Sequence, residues 1–180
     1  PATSPIQETL GDPGAQLRAR VVEVRLPNGM LFLLVRRSAT PTFSGYLRIR
    51  VGGVDEKTGL TGIAHFFEHM AFKGTTVVGT RNWAKEHKVL LEINRTGEAL
   101  SRAMIQSRGK KTLLVRALER RLRKLQKQHE AYVKKEEFSR LYQAAGGTGL
   151  NATTGKDLTS YFINLPSNRL ELWAHQEASR

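Results

Sequence analysis

His65, Glu68 and His69 are the residues of this 180-residue chain best suited to chemistry. They stand as H-x-x-E-H within Ile-Ala-His-Phe-Phe-Glu-His-Met-Ala-Phe, residues 63–72. On an α-helix each residue turns by about 100°, so two residues four apart lie roughly 40° apart on one face. Glu68, three on from His65, falls on the same side. Two imidazoles at this spacing can grip one metal ion, and a carboxylate beside them can reach a water on that ion. The plain alternative is a histidine pair on a solvated helix face. The neighbours argue against it: Ile63, Ala64, Phe66, Phe67, Met70, Ala71 and Phe72 make the segment apolar almost all round, as in a buried helix. Burying polar groups unpaired is costly, and a metal would supply a partner.

Such a helix must be delivered by a framework, and the flanking residues predict one. Residues 20–26 alternate, with Val22, Val24 and Leu26 against Glu23 and Arg25, so this strand has one wet face. Pro27-Asn28-Gly29 is a hairpin turn signal, and residues 30–36 form a second strand. That strand is nearly all apolar and is expected to lie more centrally. Residues 43–51 read as a third strand, with Tyr46, Leu47, Ile49 and Val51 as β-formers. The glycine-rich residues 52–59 lack the order of a phosphate loop and serve to turn the strand into the helix. Thr61 is the expected N-cap, and the helix is expected to end near Lys73-Gly74.

Residues 82–143 change in character. Leu90, Leu91 and Ile93, then Leu113, Leu114, Val115, Leu118, Leu122 and Leu125, recur at helical spacing among Arg, Lys and Gln. They predict a helical hairpin, coiled-coil-like in local pattern, with breaks at Thr96-Gly97 and Ser107-Arg108-Gly109. A short helix follows over residues 135–144. Beyond Gly146, Gly147 and Gly149, residues 150–154 and 159–165 predict an antiparallel pair turned at Gly155-Lys156-Asp157. A last helix restarts at Pro166-Ser167-Asn168. The fold class expected is α+β: a mixed, mainly antiparallel sheet packed against helices, with an inserted basic helical hairpin. The expected organisation is a mobile lead-in over 1–16, a catalytic domain over 17–80 and 144–180, and a helical insert over 81–143.

Composition narrows the chemistry. There is no Cys, which excludes disulfides, a cysteine nucleophile and thiolate zinc ligation, and leaves His and carboxylates as the strong metal ligands. No run is long and apolar enough to predict a membrane span. The chain starts at Pro1 and stops at Arg180 inside a helical pattern, and both ends read as cuts. The net charge is +13. Residues 81–140 hold 17 Lys and Arg against 7 Asp and Glu, a local balance of +10. A basic stretch can bind phosphate backbone, but the commoner reading is the solvated face of a long helix. Only Tyr132 lies near the densest cluster, Arg120, Arg121, Arg123, Lys124 and Lys127, so base stacking is not indicated.

Four segments together resemble the pitrilysin (M16) family of zinc metallopeptidases, the inverzincins, in the N-terminal part of their catalytic domain. They are the hairpin over 21–36, the approach over 52–59, the motif His65-Phe-Phe-Glu-His-Met-Ala-Phe-Lys-Gly-Thr75, and Gly149-Leu-Asn-Ala-Thr-Thr-Gly-Lys-Asp-Leu-Thr-Ser-Tyr161 followed by Leu165-Pro166. Exported bacterial members with an inserted helical hairpin are the most similar in pattern. The resemblance implies that His65 and His69 ligate Zn2+. It implies that Glu68 is the general base of peptide hydrolysis, and that Asn151, Ala152 and Thr153 form an edge strand to which a peptide or unfolded protein adds. It further implies a second M16-like half or partner subunit and a periplasmic or secreted location, while the basic stretch itself makes a nucleic-acid partner the less expected reading.

The departures from the family pattern lie in the insert over 81–143 and in the third zinc ligand. The family supplies that ligand as a Glu on a later helix, expected beyond Arg180, and neither Glu171 nor Glu177 matches it. The 180-residue piece is therefore expected to be inactive alone, because catalytic zinc ordinarily has three protein ligands. A non-catalytic subunit or scaffold of the same family is the alternative reading.

Overall fold

A computed structural model describes residues 13–37 and 39–180. The lead-in expected over 1–16 lies outside the described residues as far as 12, and its last part is instead the start of a short helix, α1 (Pro13–Arg18). The described chain falls into two units divided after Pro41.

In the first unit β1 (Val21–Arg25) and β2 (Leu31–Val35) pair antiparallel, Val21 opposite Val35 and Arg25 opposite Leu31. Leu26 N–H donates to Met30 O at 2.9 Å, so the loop is the three residues Pro27-Asn28-Gly29 rather than Asn-Gly alone. Pro27 is held at negative φ by its ring, and Gly29 alone takes the left-handed conformation, at φ +88°. The Asn28 side chain accepts the Met30 N–H at 3.1 Å, and Arg20 donates to Arg36 O across the open end at 2.8 Å. β2 is not central as expected: its sheet has two strands, and β1 is its only strand neighbour among the described residues.

In the second unit β3 (Thr42–Ile49), β4 (Thr148–Thr154) and β5 (Thr159–Pro166) make an antiparallel sheet in the order β3-β5-β4. β5 is central and alternates: Thr159, Tyr161, Ile163 and Leu165 are buried on one face. That face carries the core, where Ile163 and Leu165 meet Val78, Phe138 and Tyr142, with Phe43, Phe72, Leu150 and Trp173 around them. Phe138 and Tyr142 come from α5 (Glu137–Ala144), and Trp173 from α6 (Leu170–Ser179). The expected α+β class is therefore the observed one.

The basic region is a hairpin of α3 (Trp83–Gln106) and α4 (Leu113–Glu130). The break expected at Ser107-Arg108-Gly109 is present, with Arg108 and Gly109 both left-handed. The break expected at Thr96-Gly97 is absent, and α3 runs through it for 24 residues. Val89, Thr96 and Ala103, seven apart, are buried, so Thr96 belongs to an apolar seam of coiled-coil period. At the base of the hairpin Thr80 bridges Val133, and His129 meets the buried Glu86 at 2.8 Å. Among the described residues, no helix is long and apolar enough to cross a membrane.

Candidate metal centre

The short helix α2 (Ile63–Met70) carries the histidines. Its start differs from the sequence reading. Thr61 does not cap it; the N-cap is Gly62, which has no side chain to give. The cap comes from Glu56, whose Oε2 accepts the Gly62 N–H at 2.7 Å and whose Oε1 accepts the Ala64 N–H at 2.9 Å. These bonds hold the Glu56 carboxyl below its usual range, that from Gly62 most. The helix also ends earlier than expected, with Ala71 as C-cap, because the chain tightens into a turn in which Lys73 N–H donates to Met70 O.

Nor is α2 buried all round. Only Ala64 and Glu68 are buried, while Phe66 and Phe67 are 59% and 63% exposed. The helix lies on β4 and β5 by one narrow face, which cannot cover the rest of its apolar circumference. The burial argument for partners therefore fails for His65 and His69, which are exposed, and holds for Glu68.

What the structure offers for the histidines is convergence. Their Nε2 atoms stand 3.1 Å apart, with ring centroids at 4.7 Å. A tetrahedral ion about 2.0–2.1 Å from each nitrogen would hold them about 3.3 Å apart, so the pair fits a shared metal ion with little adjustment. Without an ion, the same contact is one imidazole donating to the other. Among the described residues no third His, Cys, Asp or Glu joins the pair as a ligand set.

Glu68 is 7% exposed, and the Thr154 hydroxyl donates to its Oε2 at 2.5 Å. Thr154 ends β4, opposite Thr159. Ala152 and Thr154, two apart, face inward, whereas Asn151 and Thr153 are exposed. Among the described residues the strand pairs with β5 alone, which places Asn151, Ala152 and Thr153 on a sheet edge. The Asn151 side chain folds back and accepts the Ala152 N–H at 2.9 Å. Nearby, burial pushes the Tyr161 phenol above its ordinary range; Arg180 opposes that shift and Glu68 adds to it.

Sequence reasoning missed two residues of this site, Glu56 and Thr154. Glu56 carried a weak signal, as an acid just ahead of a helix start. Thr154 carried none, since its partner is 86 residues away.

Comparison with known proteins bears on this geometry. The family model described as Insulinase (Peptidase family M16) matches residues 31–105, which takes in the whole of α2. Residues 31–105 are thus similar to part of the M16 peptidase family. Insulin-degrading enzyme of Drosophila melanogaster is 40% identical over 52 residues, 29% of this chain and 5% of that protein. The chloroplastic stromal processing peptidase of Pisum sativum is 38% identical over 52 residues, 28% of this chain and 4% of that one. The matches thus take up a small part of these relatives. The crystal structure of a protease from Helicobacter pylori superposes with a TM-score of 0.55 at 21% identity, over 88% of this chain and 25% of that one. At that identity the likeness is one of fold.

Proposed function

We propose that this M16 segment is the metal-binding part of a zinc-dependent endopeptidase. The observation that carries the reading is the convergence of the His65 and His69 Nε2 atoms at 3.1 Å, on the same short helix as the buried carboxylate of Glu68. His65 and His69 would hold zinc, which would lower the pKa of a bound water to about 7 and polarise a peptide carbonyl. Glu68 takes the proton of the attacking water and delivers it to the departing amine. The exposed edge of β4 at Asn151, Ala152 and Thr153 offers main-chain groups to an extended peptide, which adds as a further strand. Peptides and unfolded proteins can present such an extended strand.

Two histidines are one ligand short of the usual three for catalytic zinc. We therefore place the third ligand outside residues 13–180, and read the 180-residue chain as inactive by itself. A second half or partner subunit would close the open side of the edge strand. The α3–α4 hairpin, pinched at Thr80 and Val133, is read as an insert over residues 81–143 that leaves the zinc helix and β4 in contact.

Glu68→Gln, made in a form of the protein extended past Arg180, tests the reading. Zinc content stays the same while peptide cleavage falls about 10²–10⁴-fold, the usual worth of a general base. A wild-type protein that binds zinc yet cleaves no peptide would favour the scaffold reading instead.

A further inference from the structure

We infer that Thr154 is a positioning residue for Glu68, fixing one oxygen of the carboxylate so that the other is presented to the water; the inference rests on the function proposed above. The Thr154 Oγ1–H donates to Glu68 Oε2 at 2.5 Å. With Oε2 committed, Oε1 is the oxygen left to take a proton. The donor is well suited to hold a direction. Thr154 is half-buried at the end of a paired strand, next to the turn closed by Gly155 N–H donating to Leu158 O at 2.8 Å. Its branched Cβ restricts χ1, so the hydroxyl cannot easily swing away. The acceptor is 7% exposed, so water competes poorly for Oε2.

The contact also couples the chemistry to the substrate edge. Thr154 directly continues Asn151-Ala152-Thr153, the edge proposed to receive the peptide. A strand that docks there bears on the same backbone that aims the general base. Thr154 supplies the side-chain hydrogen bond to Glu68 among the described residues, which makes a single substitution informative.

The test compares Thr154→Val with Thr154→Ser in the protein extended past Arg180. Valine keeps the shape and removes the donor; serine keeps the donor. Thr154→Val lowers kcat about 10- to 100-fold, the usual cost of losing a partner that orients an active-site group. KM and the zinc dissociation constant stay within about twofold, because neither histidine is touched, and Thr154→Ser restores most of kcat. A merely structural role would move KM, zinc affinity and melting temperature together and would not be rescued by serine. Crystal structures of the wild type and of Thr154→Val give a readout independent of activity. The Glu68 carboxylate is expected to rotate away in the variant, and an unmoved carboxylate with unchanged kcat would overturn the inference. Should the wild type cleave no peptide, the proposed function fails, and the crystallographic comparison still decides whether Thr154 sets the position of Glu68.

Discussion

Glu56 holds the histidine-bearing helix from outside it. Its two oxygens accept the Gly62 and Ala64 N–H groups, two of the donors that a helix start leaves open. Because those bonds favour the ionised form, the folded-state pKa lies below the ordinary 4.5. A depressed carboxyl stabilises the fold fully above its unfolded value, and the benefit is lost as pH falls through the folded value. Glu56→Gln is therefore expected to melt at a lower temperature than the wild type at neutral pH. The difference should shrink as pH drops below 4.5, and thermal melts from about pH 7 to about pH 3 check it. A gap that persists unchanged to the acid end would show that the charge of Glu56 plays no part. The contrast with His65 and His69 is instructive. The spacing that aims two imidazoles at one point is written in five consecutive positions of a helix, whereas a cap that arrives from six and eight residues upstream is not.

At the level of elements, two glycines respond oppositely to the same change. Gly97 lies inside α3, and a Cβ built there meets nothing within 4 Å. Alanine restricts the unfolded chain and suits the helix, so Gly97→Ala should stabilise by about 0.8–1 kcal/mol. Gly52 leads into the turn before α2, where a Cβ would come within 2.5 Å of the Lys156 carbonyl. Backbone cannot give way as a side-chain tip can, so Gly52→Ala should destabilise by about 1–3 kcal/mol and loosen the join between that turn and the β4–β5 loop. Urea denaturation midpoints of the two variants separate the signs. The same pair shows what was legible in the sequence. The hairpin, the strands of the second sheet and the helix ends at Ser107 and Ala144 follow from local pattern and were readable. Thr96-Gly97 was misread as a break because propensity is local, while Thr96 is kept helical by burial in the seam with α4. The central place expected for β2 failed for a related reason: an apolar run says that a strand can be covered, not which strands pair with it. The Gly52 approach to Lys156 spans about a hundred residues of sequence, and only packing reveals it.

On the scale of the whole molecule, the candidate site is assembled from parts far apart in the chain, and among the described residues no third ligand joins the two histidines. α2 supplies two histidines and a carboxylate, β4 supplies the hydroxyl that meets the carboxylate, and the α3–α4 hairpin lies between them in sequence. That hairpin brings most of the +13 charge, 17 − 7 = +10 over residues 81–140, yet Glu92 pairs with both Arg95 and Arg121, and Lys111 lies 3.5 Å from Glu119. Exposed pairs of this kind are worth little and leave a solvated face, so the charge does not redirect the reading towards nucleic acid. On the function proposed above, a third zinc ligand has still to be supplied. Four-ligand zinc sites bind with about 10–16 kcal/mol, or roughly 3 kcal/mol per ligand. One ligand fewer should then weaken binding about a hundredfold. Zinc titration against a competing chelator is expected to show this gap between the 180-residue chain and a form extended past Arg180. His65→Ala in the short chain should weaken binding by a further factor of similar size. Equal affinity in the short and extended forms, with peptide cleavage by both, would place a complete site within these 180 residues and overturn the need for a ligand from elsewhere.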